Sequence, residues 1–307
     1  MKDTTLIRNI RQFENTKSIP HAQQQFEEIV ATRLKFMPIP TNSMAVYRAV
    51  PWNTPPDQVA KLSYPPENIT KRGRCNEDRK PVFYCSLNYP TVYAEQKNLK
   101  KGMCFAVGKW IMKKPAQIIF IGLTERELDE FNRSCGRKVD FKFNDDFNRM
   151  IHKKIRRYFS QKGDKYYSQS IAISQYLQSL EFPIEKWAKE SILGFISVEH
   201  PNKVSLPINF SIPISFVDEN MELVQCQYEM VSSVNDHGIE VDIQYFGDIQ
   251  EDNRIKWRKP NNWPLEPGKC AFAKVVKGKD DQLIWQVENE KGEILDPSPI
   301  SSKVDYF

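Results

Sequence analysis

Leu6, Ile10 and Phe13, then Phe26, Val30 and Leu34, recur at the three-to-four-residue spacing of an amphipathic helix. Pro20 stands between the two runs and Pro38 follows the second, so residues 1–40 predict an N-terminal helical hairpin. From Met44 the period shortens. MAVYRAV (44–50) alternates apolar and polar residues roughly as a half-buried strand does, with Pro51 as its stop, and PVFYCS (81–86) predicts a second short strand. Thr91 opens a predicted helix of the form T-x-x-A-E, with Ala94 and Leu99 on its apolar side. MCFAVGKWIM and AQIIFIGL predict strands, the second apolar enough to be buried on both faces.

Thr124 and Glu127 make a capping box ahead of the helical LTERELDEF. Residues 145–160 collect Phe147, Met150, Ile151, Ile155 and Phe159 on one helical face and Lys153, Lys154, Arg156 and Arg157 on the other. A further helix is predicted over 166–180, then strands at ILGFISV and INFSI. After Pro213 the texture turns strand-like in GIEVDIQYFGDI, CAFAKVV and QLIWQVE. The predicted fold class is α+β: a helical segment at 1–40, a mixed-sheet core with helices at 41–215, and a β-rich extension at 216–307. No internal repeat is evident.

Composition narrows the chemistry. Among 307 residues, Lys+Arg 44 against Asp+Glu 39 leaves a net charge of +5, which favours anionic ligands without demanding nucleic acid. No apolar run approaches the roughly 20 residues of a membrane span and no export signal is visible, so a soluble protein away from the membrane is expected. Six cysteines without a C-x-x-C pair predict reduced thiols in the cytoplasm and no metal site. Neither G-x-x-x-x-G-K-[ST] nor G-x-G-x-x-G occurs, so any nucleotide must be held by side chains.

The arginines are the candidates for that task. Arg48 lies inside an otherwise apolar strand, where an unpaired charge is costly, so it must meet a carboxylate or a bound anion. Arg72 and Arg74 flank Gly73, which lets the backbone turn and present a guanidinium fork to phosphate. Structural ion pairs and solvated arginines would leave the same pattern.

Y-R at 47–48, G-R-x-N at 73–76, P-V-F-Y-C-S at 81–86, T-V-Y-A-E at 91–95 and S-Q-S-I-A on a later helix together resemble the RES-domain family. The resemblance spans roughly residues 44–212. It implies an ADP-ribosyltransferase-like fold, NAD as substrate with no cofactor, and often the toxin of a bacterial toxin–antitoxin pair with a cognate antitoxin as partner. On this resemblance Arg48, Glu95 and Ser197 are the catalytic set, and Tyr47, Arg74, Tyr84 and Asn209 bind NAD. The segment around Ser197 departs from the family, with Phe195 in place of a tyrosine and Ser191-Ile192 in place of aspartate-glycine; Ser205 is a poorer substitute for Ser197.

The reaction that these residues imply is cleavage of the nicotinamide–ribose bond, with water or phosphate as acceptor, in an NAD glycohydrolase or phosphorylase. Alternatives are an ADP-ribosyltransferase acting on a protein, or an inactive RES-like module whose extension binds a partner or builds a homodimer. KKIRRYFSQKGDKYY (153–167) interleaves basic and aromatic residues as nucleic-acid grooves do, but the chain's pI of 8.7 falls short of the pI above about 9 expected of such a domain.

Overall fold

The computed structural model describes residues 2–32, 38–41, 44–96, 98–134, 146–161, 163–180, 191–196, 207–235, 238–259, 271–277, 283–289 and 294–295. In chain order the elements are α1 (Lys2–Asn15), α2 (Ile19–Thr32), β1 (Pro38–Thr41), β2 (Ala45–Pro51), β3 (Phe83–Ser86), α3 (Tyr89–Ala94), β4 (Cys104–Met112) and β5 (Ala116–Ile121). There follow α4 (Glu125–Ser134), α5 (Asp146–Ser160), α6 (Tyr167–Gln178), β6 (Ser191–Ile196), β7 (Ile208–Ile212), α7 (Ile214–Asn220), β8 (Met221–Asn235), β9 (Gly238–Ile249) and β10 (Ile255–Arg258). Strands β11 (Ala271–Lys277), β12 (Leu283–Asn289) and β13 (Ile294–Leu295) make a small sheet of their own.

The other ten strands form one sheet in the order β1-β5-β6-β7-β3-β2-β4-β8-β9-β10. All its pairings are antiparallel except β5 with β6. The protein is therefore a mixed α+β fold. The sheet runs through position 216: β8 pairs with β4 over Cys104–Met112, so the C-terminal strands extend the same surface that carries β2 and β3.

Strand alternation sorts side chains to two faces. Val46, Phe83, Ala106, Phe210 and Ile212 point to one face, where Leu62, Phe131, Phe216 and Trp110 close the core. The opposite face carries two separate clusters. Phe26, Ile155, Phe159 and Phe195 belong to a layer of α1, α2, α5 and α6 over β5 and β6. Val92, Tyr93, Phe105 and Val231 pack α3 over β4 and β8. Each wholly buried phenylalanine contributes about 1.5–3 kcal/mol.

The N-terminal hairpin is fastened by polar contacts as well. Gln169 Nε2 donates to the carbonyls of Phe13 and Thr16, both at 2.8 Å, satisfying acceptors left open where α1 ends. Glu14 accepts from Lys154 Nζ at 2.7 Å and from the Tyr158 hydroxyl at 3.0 Å. The predicted capping box is present: Thr124 N donates to Glu127 Oε2 at 2.7 Å, and Glu127 N to Thr124 Oγ1 at 3.3 Å.

One helix differs from its expected start. α3 begins at Tyr89, two residues before Thr91, because Asn88 is its cap, with Oδ1 accepting from Thr91 N at 3.2 Å and Pro90 in the first turn. Glu95 therefore closes α3 at its C-terminal end.

Candidate functional site

β2 and β4 hold register along all seven residues of β2, from Ala45↔Ile111 to Pro51↔Phe105. β2 and β3 pair only at Tyr47↔Ser86. Where these two strands part, a cleft of about 270 Å³ is lined by Arg48, Tyr84, Gly73, Arg74, Asn76 and Glu95. The split thus brings together a β2 residue, a β3 residue, the 71–76 loop and the end of α3.

Glu95 is the best-fastened group there. Its Oε1 accepts from Asn209 Nδ2 at 2.8 Å and its Oε2 from the Tyr84 hydroxyl at 3.3 Å, while Arg74 Nη1 stands 3.7 Å from Oε2. The Glu95 and Arg74 side chains are only 12% and 15% exposed. Asn209 is wholly buried on β7, and its Oδ1 accepts from Ser86 Oγ at 2.6 Å. A hydroxyl on one side and a carboxylate on the other leave one consistent orientation for that amide. Burial foremost, and then the Glu95 charge, push the Tyr84 phenol well above its ordinary pKa, so it stays protonated and donates.

A helix C-terminus is an unfavourable place for a carboxylate. The macrodipole of α3 therefore gives no reason for an acid at position 95, and the carboxylate rests on its Asn209, Tyr84 and Arg74 contacts.

Of the two partners expected for Arg48, a carboxylate or a bound anion, the first is replaced here by backbone carbonyls. Nε donates to Ser63 O at 2.9 Å and Nη1 to Tyr84 O at 2.6 Å, with the guanidinium 5.5 Å from the centre of the Phe83 ring. Among the described residues it has no carboxylate partner. Burial draws its pKa down to about 10, which leaves it cationic at neutral pH. Arg74 Nε is likewise buried and meets no acceptor among the described residues. Two guanidinium groups thus line one cleft with donor capacity in hand.

The G-R-x-N stretch has a local reason. Gly73 N donates to Asn76 O at 3.0 Å, and Asn76 Nδ2 donates to Lys71 O and Glu77 O at 2.9 and 3.0 Å. A Cβ at Gly73 would lie 2.6 Å from Asn76 Oδ1, so the amide folds over a position that only glycine leaves open. Arg72 turns away from the cleft: its Nη2 donates to Ser168 Oγ on α6 at 2.9 Å.

Tyr47 is not brought into the cleft. Its ring meets Tyr89 of α3 edge-on at 5.8 Å. Ser197 and Ser205 lie outside the described residues. Of the seven predicted site residues, Arg48, Arg74, Tyr84, Glu95 and Asn209 are gathered into one connected group.

Beneath α3 is a group that sequence reasoning missed. Glu229 of β8 is wholly buried with one oxygen hydrogen-bonded to the Tyr89 hydroxyl and the other to the Tyr93 hydroxyl, while Gln227 Nε2 donates to Tyr89 Oη at 2.7 Å. Burial raises the Glu229 carboxyl well above the ordinary range. β8 thereby supports the helix whose end carries Glu95. An alternation of glutamines and a glutamate along VQCQYEM was the only signal, and it equally describes a solvated strand.

The basic face of α5 is largely engaged within the molecule. Arg156 forms a two-pronged pair with Glu127 at 2.6 and 2.9 Å, Lys154 meets Glu14, and Arg157 lies over the Tyr166 ring at 5.4 Å. Among the described residues no cluster of three or more His, Cys, Asp or Glu is placed to hold a metal ion, and no helix is long and apolar enough to cross a membrane. No protein-family model matches the chain, and no curated protein matches it.

Proposed function

We propose that the protein is an NAD-consuming enzyme that cleaves the nicotinamide–ribose bond and passes the ADP-ribosyl group to water or phosphate. The observation that carries this reading is the Glu95 carboxylate, held at both oxygens by Asn209 and Tyr84 in a cleft with Arg48 and Arg74. The resemblance to RES-domain proteins, and through them to ADP-ribosyltransferase folds, supports it.

The chemistry suits so sparse a site. The nicotinamide of NAD is a cationic pyridinium, so it departs as a neutral molecule and needs no general acid. The transition state places positive charge on the ribose, as in glycoside cleavage, and a fixed carboxylate stabilises it. Arg48 and Arg74 grip the pyrophosphate, for which guanidinium forks are better matched than ammonium groups. A volume of about 270 Å³ is just below the roughly 300–1,000 Å³ of sites that enclose a drug-sized ligand, so the cleft takes part of NAD, and on this reading of Glu95 that part is the nicotinamide riboside half. In the cell such a reaction depletes NAD, the action of a toxin kept in check by an antitoxin.

Chromatographic assay of free nicotinamide from NAD, with and without phosphate, tests the proposal. Release in either buffer supports it, and dependence on phosphate distinguishes a phosphorylase from a glycohydrolase. No release from folded protein in either buffer overturns it in favour of a protein-directed transferase or an inactive module.

A further inference from the structure

We infer that the mouth of this cleft is a second subsite, built by Ile69, Tyr167 and Lys71 to take the aromatic base and adjoining phosphate of a nucleotide. The inference rests on the reading of the cleft as an NAD site and adds the residues that select a dinucleotide over its smaller half.

Ile69 ends a single 3-10 turn, Glu67–Ile69, and is 63% exposed although it lines the cleft. The other exposed large apolar residues of the described chain, Ile7, Met150, Val224 and Val234, line no part of it. An isoleucine so exposed gains little from folding, and its apolar surface is available to a ligand.

Tyr167 begins α6 and also lines the cleft. Its neighbour Tyr166 shows what a packed tyrosine looks like here, with the Tyr158 ring at 5.2 Å and the Arg157 guanidinium at 5.4 Å. Among the described residues, Tyr167 has neither a ring partner nor a hydrogen bond to its hydroxyl. Its phenol is a half-buried stacking surface without an internal occupant.

Charge decides the ligand class. Lys71 is exposed and has no carboxylate partner among the described residues. With Arg48 and Arg74 it sets three cations against one carboxylate around the cleft. A purely apolar or aromatic ligand would use the Ile69 and Tyr167 surfaces and leave those cations unanswered. A nucleotide uses both, since a base stacks on aromatic and apolar surfaces regardless of its hydrogen-bonding edge and its phosphate answers the cations.

The test uses two probes that lack the nicotinamide bond, so that binding is read separately from turnover. Affinities for ADP-ribose and for ribose 5-phosphate are measured by titration calorimetry with the full-length protein and with Tyr167→Ala, Tyr167→Phe and Ile69→Ser. The wild type is expected to bind ADP-ribose at least tenfold more tightly than ribose 5-phosphate. Tyr167→Ala and Ile69→Ser should each weaken ADP-ribose about tenfold and leave ribose 5-phosphate unchanged, and Tyr167→Phe should retain full affinity. Equal losses for both probes, or none for either, overturn the subsite. Wild-type protein that binds neither probe overturns the subsite and removes the nucleotide reading of the cleft beneath it. Selective loss in a protein that releases no nicotinamide sustains the subsite and refutes only the catalytic reading.

Discussion

Asn209 Nδ2 donates to Glu95 Oε1 at 2.8 Å, joining a central strand to the end of a six-residue helix across 114 positions of sequence. Because the other end of the same amide is taken by Ser86, the carboxylate is aimed by groups that cannot turn independently. The functional reading stands on that arrangement, and it predicts different consequences for different members of the group.

Asn209→Ala should cost both activity and stability. It strips Glu95 Oε1 and Ser86 Oγ of a partner in a buried place, an expected loss of about 1–3 kcal/mol, and should lower kcat by at least tenfold. Thermal unfolding together with steady-state kinetics checks this; full activity in the variant would separate Asn209 from the mechanism.

Arg48→Lys should fail to rescue function. An ammonium cannot donate simultaneously to Ser63 O and Tyr84 O and still offer a fork to phosphate. The expected result is a KM for NAD raised about tenfold or more. A variant with wild-type KM would show that only the charge at position 48 matters.

Gly73→Ala separates loop geometry from charge. The new methyl would meet Asn76 Oδ1 at 2.6 Å and force that amide, and with it the loop carrying Arg74, to shift. Substrate affinity should fall several-fold while the melting temperature barely changes. Unaltered affinity would mean that Arg74 does not depend on the 73–76 turn.

Glu229 makes a pH prediction whose sign is opposite to that of Glu14, Glu77 and Glu127. Its folded-state pKa is raised, so the folded protein holds its proton where the unfolded chain has released it. That contribution to stability is fully present below the ordinary carboxylate range and is lost as pH rises toward the folded value. Glu14, Glu77 and Glu127 are shifted downward and act in the opposite sense, so the effect is read as a difference between proteins. Glu229→Gln, which cannot titrate, should gain stability relative to wild type progressively as pH rises above the ordinary carboxylate range. A difference independent of pH would contradict a protonated Glu229.

Much of this fold was legible in the chain wherever burial was one-sided. The helices of 145–160 and 166–180 and the capping box at Thr124 follow from periodicity and from a cap, both local properties. β8 was not legible as a strand. Its inward face toward α3 carries Gln227 and Glu229, and its register shifts between Tyr228 and Glu229, so alternation of apolar and polar residues breaks down. The site was legible in part, through motif order. Arg48, Arg74, Tyr84, Glu95 and Asn209 do converge, but the reason is the parting of β2 from β3, a tertiary feature that no short stretch encodes. Tyr47 looked equivalent to Tyr84 on residue type, and only packing against Tyr89 tells them apart.

The most direct test of the central claim is the rate of nicotinamide release from NAD by wild-type protein and by Glu95→Gln, with binding of ADP-ribose measured alongside. The carboxylate's stabilisation of a cationic sugar predicts a drop of about a hundredfold or more in rate with ADP-ribose binding kept. Equal rates in the two proteins would contradict the account, because Glu95 would then be a structural anchor for Asn209, Tyr84 and Arg74 and nothing more.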